Sequence, residues 1–313
     1  MTAPLYHLRP NKGVDRMIFA EAIGQLGRRV PLSEYIYFGL GGPFLEDFRL
    51  LYEHYPMLRL VSIEGDVDVL KRQRFHVPCR TIRLEHADLN SYISQHDPRD
   101  QRSIFWLDYT TLEYANFSGF EMLLGKVPAD SMVKITLRAK WTDYRDASTH
   151  ESFRAKFGAI MPDQNANPPS NSRDFVKLIQ DMVQIASQRA LPSAMPLRFQ
   201  PVCSFFYSDG TEMLTVTGLV CRRSDRQAIR ASFKPWSHSS LNWAHPKRIA
   251  VPVLTTKERL YLQDRLPCAR RSGRTLRRAL GYLVDENRPR SERTLEQYAR
   301  FHRYAPYFMR AIP

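Results

Sequence analysis

The stretch IYFGLGG, residues 36–42, is an aromatic and β-branched run that closes on glycines. Such a run predicts a short buried strand followed by a tight turn. The next residues, 44–55, carry apolar side chains at helical spacing and predict a helix. A strand, a glycine turn and a helix in this order are typical of the first step of an α/β domain.

Further strands and helices follow at regular intervals. Short apolar runs predict strands over residues 60–64, 81–84, 103–108 and 132–138. Apolar residues at helical spacing predict helices over residues 14–28, 67–75, 117–124 and 174–190. Two longer β-type runs, 202–208 and 212–222, flank Asp209-Gly210, a strong hairpin signal. The sequence therefore predicts an α/β fold in which parallel strands, covered on both faces, end in an antiparallel edge hairpin.

Positive charge is concentrated at one end of the sequence. The 313 residues hold 46 Lys and Arg against 32 Asp and Glu, a formal net charge of +14. Residues 221–313 hold 21 of the basic and 7 of the acidic side chains, so this third carries the whole excess. Such asymmetry favours a polyanion partner, most often nucleic acid, and the alternative is a basic surface that only aids solubility.

This change in composition predicts two domains. We place a Rossmann-like sheet domain over residues 1–222 and a basic, helical, nucleic-acid-binding subdomain over residues 223–313. Within the latter, helices are predicted over residues 255–281 and 291–309. The side chains expected to form its small core are Tyr261, Leu262, Leu276, Leu280, Tyr282, Tyr298, Tyr304 and Phe308.

Several classes of protein are excluded by the composition. No apolar run reaches the roughly 18–20 residues that cross a bilayer, and the first residues lack the order of a signal peptide. The four cysteines lie far apart with no CxxC pair, and His238 and His245 have no cysteine at ligand spacing. We therefore expect a cytoplasmic protein without a metal site.

In their order along the chain, residues 14–222 resemble the class I S-adenosylmethionine-dependent methyltransferase superfamily. The family's glycine-rich turn corresponds here to Gly39, Gly41 and Gly42, where the backbone can pass close to a nucleotide-like ligand. The resemblance implies that Glu64, after the second strand, holds the ribose hydroxyls and that Asp88, after the third, lies near the adenine. It thereby implies S-adenosylmethionine as the cofactor.

The sequence also departs from the family's motifs. Tyr37 stands where the family has an acid that interacts with the amino-acid portion of the cofactor, and Pro43 replaces the last glycine. Glu46 and Asp47 are the candidate substitutes for that acid. Neither an Asn/Asp-Pro-Pro-Tyr motif nor a Pro-Cys dipeptide follows the fourth strand, which argues against amine methylation of nucleic acids and against cytosine C5 methylation.

Two groups of residues are candidates for catalysis. Asp108 and Tyr109 end the strand at residues 103–108, where ligands of open α/β sheets bind, and an acid beside apolar neighbours can be tuned as a base. The alternative is that Asp108 caps the next helix. Lys12 and Asp15 precede the first strand, a segment that covers the cleft in the resembled fold. Their alternative is a plain helix start, with Asn11 as N-cap and Asp15 solvated.

Two stretches of the basic third are candidates for nucleic-acid binding. In the first, Trp236 and Trp243 alternate with Lys234, Lys247 and Arg248, a pattern that suits base stacking and phosphate neutralisation, although the tryptophans can instead anchor the loop. In the second, arginines recur at a spacing of three to four, which suits a phosphate-tracking strip or a solvated basic face: Arg270, Arg271, Arg274, Arg277 and Arg278.

These observations leave three functional hypotheses. The first is an S-adenosylmethionine-dependent methyltransferase acting on nucleic acid, with DNA favoured over RNA. The second is a DNA glycosylase or related hydrolase on the same scaffold, as in phage defence, in which a carboxylate activates water beside a flipped modified base. The third is a non-catalytic nucleic-acid-binding module.

Overall fold

The structure is a computed structural model, and it describes residues 9–56, 58–98, 101–144, 147–162, 169–252, 254–267 and 273–304. Its strands belong to one mixed sheet and are β1 (Ile36–Gly39), β2 (Arg59–Glu64), β3 (Ile82–His86), β4 (Ser103–Asp108), β5 (Met132–Arg138), β6 (Leu197–Ser208), β7 (Glu212–Arg222) and β8 (Lys247–Arg248). Their order across the sheet is β3-β2-β1-β4-β5-β7-β6-β8. Neighbouring strands from β3 to β5 are parallel, and β7 pairs antiparallel with β5. The predicted fold class is thus confirmed.

The helices among the described residues are α1 (Pro10–Gly27), α2 (Glu46–His54), α3 (Val67–His76), α4 (Leu89–Gln95), α5 (Tyr114–Lys126), α6 (Ala147–Phe157), α7 (Ser172–Ala190), α8 (Arg226–Phe233), α9 (Thr256–Gln263), α10 (Gly273–Leu280) and α11 (Arg288–Phe301). The sequence analysis did not predict α4, α6 and α8. In the described part of the chain, no helix combines the length and the apolarity that a membrane span requires.

Both faces of the sheet are covered by apolar side chains, as expected for parallel strands. On one face, Phe38 of β1 stacks on Phe105 of β4 with ring centroids 4.4 Å apart, and this layer continues into the buried faces of α5 and α7. On the other face, Phe19 of α1 packs edge-on against Trp106 of β4 at 5.3 Å. The order of strands reverses between β1 and β4, which opens a crevice at the carboxyl ends of these two strands.

The chain divides into two compact units. The sheet unit comprises Phe19–Phe206 and Thr211–Lys247, and the terminal unit comprises Met1–Ile18, Tyr207–Gly210 and Arg248–Pro313. The predicted division into 1–222 and 223–313 stays a prediction.

Within the terminal unit, α9, α10 and α11 share a small apolar core. Its buried side chains include Leu262, Leu276 and Tyr298, all expected from the sequence. Two expected members, Tyr261 and Tyr282, are instead exposed, and Phe308 lies outside the described residues. The predicted helix over 255–281 is two helices, α9 and α10. A Cβ on Gly273, the first residue of α10, would lie 1.6 Å from the backbone oxygen of Glu292, so only glycine allows α10 to pack this closely on α11.

Candidate cofactor and active site

The glycine turn lies directly after β1, at the crevice between β1 and β4. Gly41 and Gly42 have φ values of +68° and +56°, a conformation that glycine adopts at little cost. A Cβ on Gly41 would also approach Leu45 Cδ2 to 2.5 Å and Phe48 Cε2 to 2.8 Å. Both the backbone angle and the packing therefore require glycine at position 41, as the sequence pattern indicates.

A buried glutamine holds this turn from behind. The Nε2 group of Gln73, on α3, donates to the backbone oxygens of Leu40 (2.8 Å) and Gly42 (2.9 Å). Its Oε1 accepts from Ser62 Oγ of β2 at 3.0 Å. Since Gln73 and Ser62 are both fully buried, these bonds form in a low dielectric and fix the path of the turn. The sequence analysis missed Gln73, because a glutamine within a polar helix pattern has the signature of a surface residue.

A carboxylate from a different element lies beside Tyr37, which stands where the family has its acid. Tyr37 is buried, and its hydroxyl donates to Oδ2 of Asp47 in the first turn of α2. A Cβ on Gly39 would lie 2.5 Å from the Tyr37 hydroxyl, so this pair sits against the start of the turn. The helix N-terminus also favours a carboxylate at this position. Of the two substitutes considered, Glu46 and Asp47, it is Asp47 that bonds to Tyr37.

Two further carboxylates lie at the carboxyl ends of neighbouring strands. Glu64 ends β2, opposite His86 of β3, and its Oε1 accepts from the backbone N–H of Asp66 at 2.9 Å. Burial raises the pKa of the Glu64 carboxyl above its usual value, and the hydrogen bond from the Asp66 backbone N–H offsets part of this rise. Asp88 is the N-cap of α4 and accepts from the backbone N–H of Ser91. Both acids stand at the edge of the sheet that carries the glycine turn.

Asp108 and Tyr109, neighbours in sequence, differ in burial and in environment. Asp108 is the last residue of β4 and is half-buried, at the same edge as the glycine turn. Tyr109 is buried, and its hydroxyl donates to Asn90 Oδ1 of α4 at 2.7 Å, which ties it into the packing of α4 and α5. Burial raises the pKa of the Tyr109 hydroxyl well above its usual value. The catalytic role assigned to each from the sequence stays a prediction.

In the terminal unit, Asp209 caps the N-terminus of α1. Its carboxylate accepts from the backbone N–H groups of Asn11 and Lys12 at 3.2 and 2.9 Å. Asn11 lies inside the helix, and its side chain donates to Asp209 and accepts from the backbone N–H of Val251. The interpretation of Asn11 as the N-cap is therefore wrong, since a hairpin turn provides the cap. Asp15 is 1% exposed, so the interpretation of Asp15 as a solvated acid is wrong too.

A buried lysine, also missed from the sequence, lies in the middle of β5. Lys134 is 1% exposed, and its Nζ lies 3.8 Å from the ring centroid of Trp106 and 4.8 Å from that of Phe19. Two aromatic faces at such distances stabilise a cation in an apolar layer. A charged residue inside the apolar run MVKITLR was the signal that could have identified it.

The residues predicted to bind nucleic acid have different environments. Trp236 is 7% exposed and its Nε1 donates to Glu21 Oε2, which fits the loop-anchoring alternative better than base stacking. Trp243 is half-buried beside Phe199. Of the side chains predicted to contact phosphates, four are exposed: Lys234, Arg248, Arg274 and Arg278. Lys247 and Arg277 are half-buried, and Arg270 and Arg271 lie outside the described residues. Lys247 donates to the Ser239 backbone oxygen and Arg277 to Glu292.

A family model described as "Putative O-methyltransferase" matches residues 4–313 of this sequence. The chain belongs to this family. The predicted membership of the class I S-adenosylmethionine-dependent methyltransferase superfamily and the predicted enzyme class, a methyltransferase, are thereby confirmed. A comparison with curated protein sequences gives no match.

Several solved structures match part of this chain at low identity. Trm1 from Pyrococcus horikoshii, in complex with S-adenosyl-L-methionine, matches at 10% identity and a TM-score of 0.47, over 68% of this chain and 56% of that one. The plantazolicin methyltransferase BamL, in complex with a triazolic desmethylPZN analog and SAH, matches at 8% identity and a TM-score of 0.38, over 67% of this chain and 97% of that one. The fibrillarin/Nop5p complex matches at 11% identity and a TM-score of 0.38, over 62% of this chain and 74% of that one. The chain thus spans little more than half of the Trm1 structure.

Proposed function

We propose that the protein transfers the methyl group of S-adenosylmethionine to a hydroxyl oxygen of a nucleic acid. The observation that carries the proposal is the clamped glycine turn at the strand-order reversal, with acids after β2, β3 and β4 at the same edge. The family description supports oxygen as the acceptor atom.

The residues at this edge fit the cofactor chemically. Gly41 and Gly42 give the backbone a close approach to the ligand, and the carboxylate of Glu64 can accept hydrogen bonds from a ribose diol. Asp88 flanks the next strand end on the adenine side. Asp47, held by Tyr37, places a negative charge beside the turn for the amino-acid portion of the ligand. When bound, S-adenosylmethionine supplies an electrophilic methyl group on a sulfonium.

Asp108 is the base that we assign to the reaction. Its half-buried carboxylate follows five buried strand residues, so it is partly desolvated and suited to accept the proton of the attacking hydroxyl. As the oxygen–methyl bond forms, the methyl–sulfur bond breaks, and the proton passes to Asp108. Tyr109 orients the strand end through its bond to Asn90 and takes no proton itself.

The choice of nucleic acid as substrate is supported by charge. Residues 221–313 carry 21 basic and 7 acidic side chains, and Arg274 and Arg278 of α10 are exposed. Lysine and arginine side chains that release counterions from phosphates supply most of the affinity for such polymers. The catalytic role predicted for Lys12 and Asp15 and the base contact predicted for Trp243 stay predictions.

Calorimetric titration with S-adenosylmethionine and S-adenosylhomocysteine tests the cofactor first. Saturable binding to the wild type should weaken about tenfold or more in Glu64→Ala. Asp68→Ala, which removes an exposed carboxylate from α3, is the matched control and should bind normally. Transfer of a labelled methyl group to DNA and RNA then tests the substrate, and it should be lost in Asp108→Asn.

Absence of cofactor binding to the wild type would overturn methyl transfer. Base release from modified DNA would then favour the glycosylase hypothesis, and salt-sensitive binding without any product would favour the non-catalytic one.

A further inference from the structure

A second cluster of charged side chains lies at the opposite edge of the sheet unit. In the antiparallel pairing, Met132 at the start of β5 faces Leu219, and Arg138 at its end faces Met213. The end of β7 and the start of β6 therefore lie at the amino edge of the parallel strands, away from the glycine turn. The separation of the two edges is about 20 Å, the length of a strand such as β5. Four arginines gather there: Arg198 of β6, Arg223, and Arg226 and Arg230 of α8.

Hydrogen bonds fix three of these arginines. Arg223 donates through Nε to the backbone oxygen of Met195 at 2.8 Å and through Nη2 to that of Pro192 at 2.9 Å. Arg226 donates to Oε1 of Gln200 at 3.2 Å. Gln200 Nε2 and Arg230 Nη1 both donate to one acceptor, the backbone oxygen of Leu241. The guanidinium groups of Arg226 and Arg230 are thus anchored around a single buried glutamine.

Arg198 shares this environment without an anchor. It lies two residues before Gln200, so both side chains project from the same face of β6. Its Nε is buried and has no hydrogen-bond partner among the described residues. Burial lowers the pKa of Arg198, and the nearby charges of Arg226, Arg223 and Arg230 lower it further. Among the largest influences on this pKa, the Cys221 side chain acts in the opposite direction.

The surrounding sequence extends the positive charge along α8. Arg226, Arg230 and Lys234 recur every four residues along one side of α8 and its C-cap, while Ile229 and Phe233 are buried. Between residues 222 and 256 the sequence holds a single acid, Asp225, which accepts from Ser224. A row of arginines without compensating acids disfavours the folded state by mutual repulsion, and an anion bound among them would offset that cost.

We propose that Arg198, Arg226 and Arg230 form a phosphate-binding site for the backbone of the nucleic-acid substrate. The identity of the polymer rests on the proposed function, whereas the site itself requires neither cofactor nor methyl transfer. The planar guanidinium fork suits the oxygens of a phosphodiester, and the buried Nε of Arg198 adds a donor that the protein does not satisfy. A contact about 20 Å from the catalytic edge would hold a polymer in register, as backbone contacts do.

The test measures binding of fluorescein-labelled 20-nucleotide RNA and DNA by anisotropy, without cofactor, between 50 and 200 mM NaCl. The double variant Arg198→Gln/Arg226→Gln should bind about tenfold more weakly, and its salt slope should fall by about 1.4 for two lost single-strand phosphate contacts. Lys71→Gln, which removes an exposed, paired charge from α3, is the matched control and should bind as the wild type does.

A second measurement separates a binding role from a structural one. Because Arg198 is repelled and unanchored, Arg198→Gln alone should melt at or above the wild-type temperature while it binds nucleic acid more weakly. A lowered melting temperature, or unchanged affinity and salt slope in the double variant, would overturn the proposal. The proposal would also be overturned if inorganic phosphate stabilised the double variant as much as it stabilises the wild type. Calorimetry of S-adenosylmethionine with Arg198→Gln should give wild-type affinity, which keeps failure of this site distinct from failure of the cofactor site.

Discussion

Around the glycine turn at the carboxyl edge of the sheet unit, the buried side chains of Gln73 and Tyr37 are matched with hydrogen-bond partners. Gln73 uses its amide on two turn carbonyls and on Ser62, and Tyr37 uses its hydroxyl on Asp47. At the amino edge, Arg198 lies among other arginines, and its buried Nε has no hydrogen-bond partner in the part of the chain that the structure describes. Hydrogen bonds within the protein fix the path of the glycine turn at the carboxyl edge, whereas the proposed site at the amino edge needs a bound anion to satisfy its donor. The predictions below test this difference.

The largest effect is expected at the glycine turn. Gly41→Ala forces an L-residue to a φ of +68° and drives its Cβ into Leu45 and Phe48. We expect a loss of about 2–4 kcal/mol in the free energy of unfolding and no measurable S-adenosylmethionine binding, by urea denaturation and calorimetry. Gly125→Ala, inside α5 with open space around it, should be neutral or slightly stabilising. Normal cofactor binding to Gly41→Ala would contradict the assignment of the turn.

The second-largest effect is expected at Gln73, which clamps the glycine turn through its two bonds to backbone oxygens. Gln73→Leu removes the donors to Leu40 and Gly42 and leaves these carbonyls unsatisfied, which should cost about 2 kcal/mol of stability. Cofactor affinity should fall by at least tenfold, because the turn loses its fixed path. Gln95→Leu, on the exposed side of α4, provides the control for the substitution itself. Equal stability of the two variants would show that the clamp contributes nothing.

A smaller effect is expected at the amino edge. Arg223→Gln breaks bonds to the carbonyls of Met195 and Pro192 and should lower stability by about 1 kcal/mol in urea denaturation. The same substitution at Arg198 should cost nothing. Equal losses at the two positions would remove the distinction between an anchored and an unanchored arginine.

The smallest effect concerns Glu64 and pH. Because the folded-state pKa of Glu64 is raised, chiefly by burial, its ionisation disfavours the fold as the pH rises from the ordinary glutamate value through the raised one. Since the side chain is only half-buried, solvent screens most of this cost. Glu64→Gln should therefore melt about 1 °C above the wild type at pH 7 and equal to it at pH 4, in a thermal scan. A wild type that is more stable than the variant at pH 7 would reverse the sign of this cost.

Much of the fold followed from hydrophobic periodicity. The strands 103–108 and 132–138 were predicted with the observed bounds, since buried parallel strands are continuous apolar runs. The seven-residue α4 was not predicted, because its two buried residues give too weak a period. The acids after the strands were identifiable for the same reason as the strands themselves. The roles of Gln73 and Lys134 were not, since they depend on which polar side chain meets which buried partner across the sheet.

The cap on α1 has a consequence for synthesis. Asn11 and Lys12 emerge from the ribosome almost two hundred residues before Asp209, the side chain that completes their helix turn. During translation the first helix therefore remains frayed at its start until the last hairpin has been made and paired. A nascent chain stopped before residue 209 should leave that end of the helix accessible to protease, and release of a chain extended beyond the hairpin should protect it.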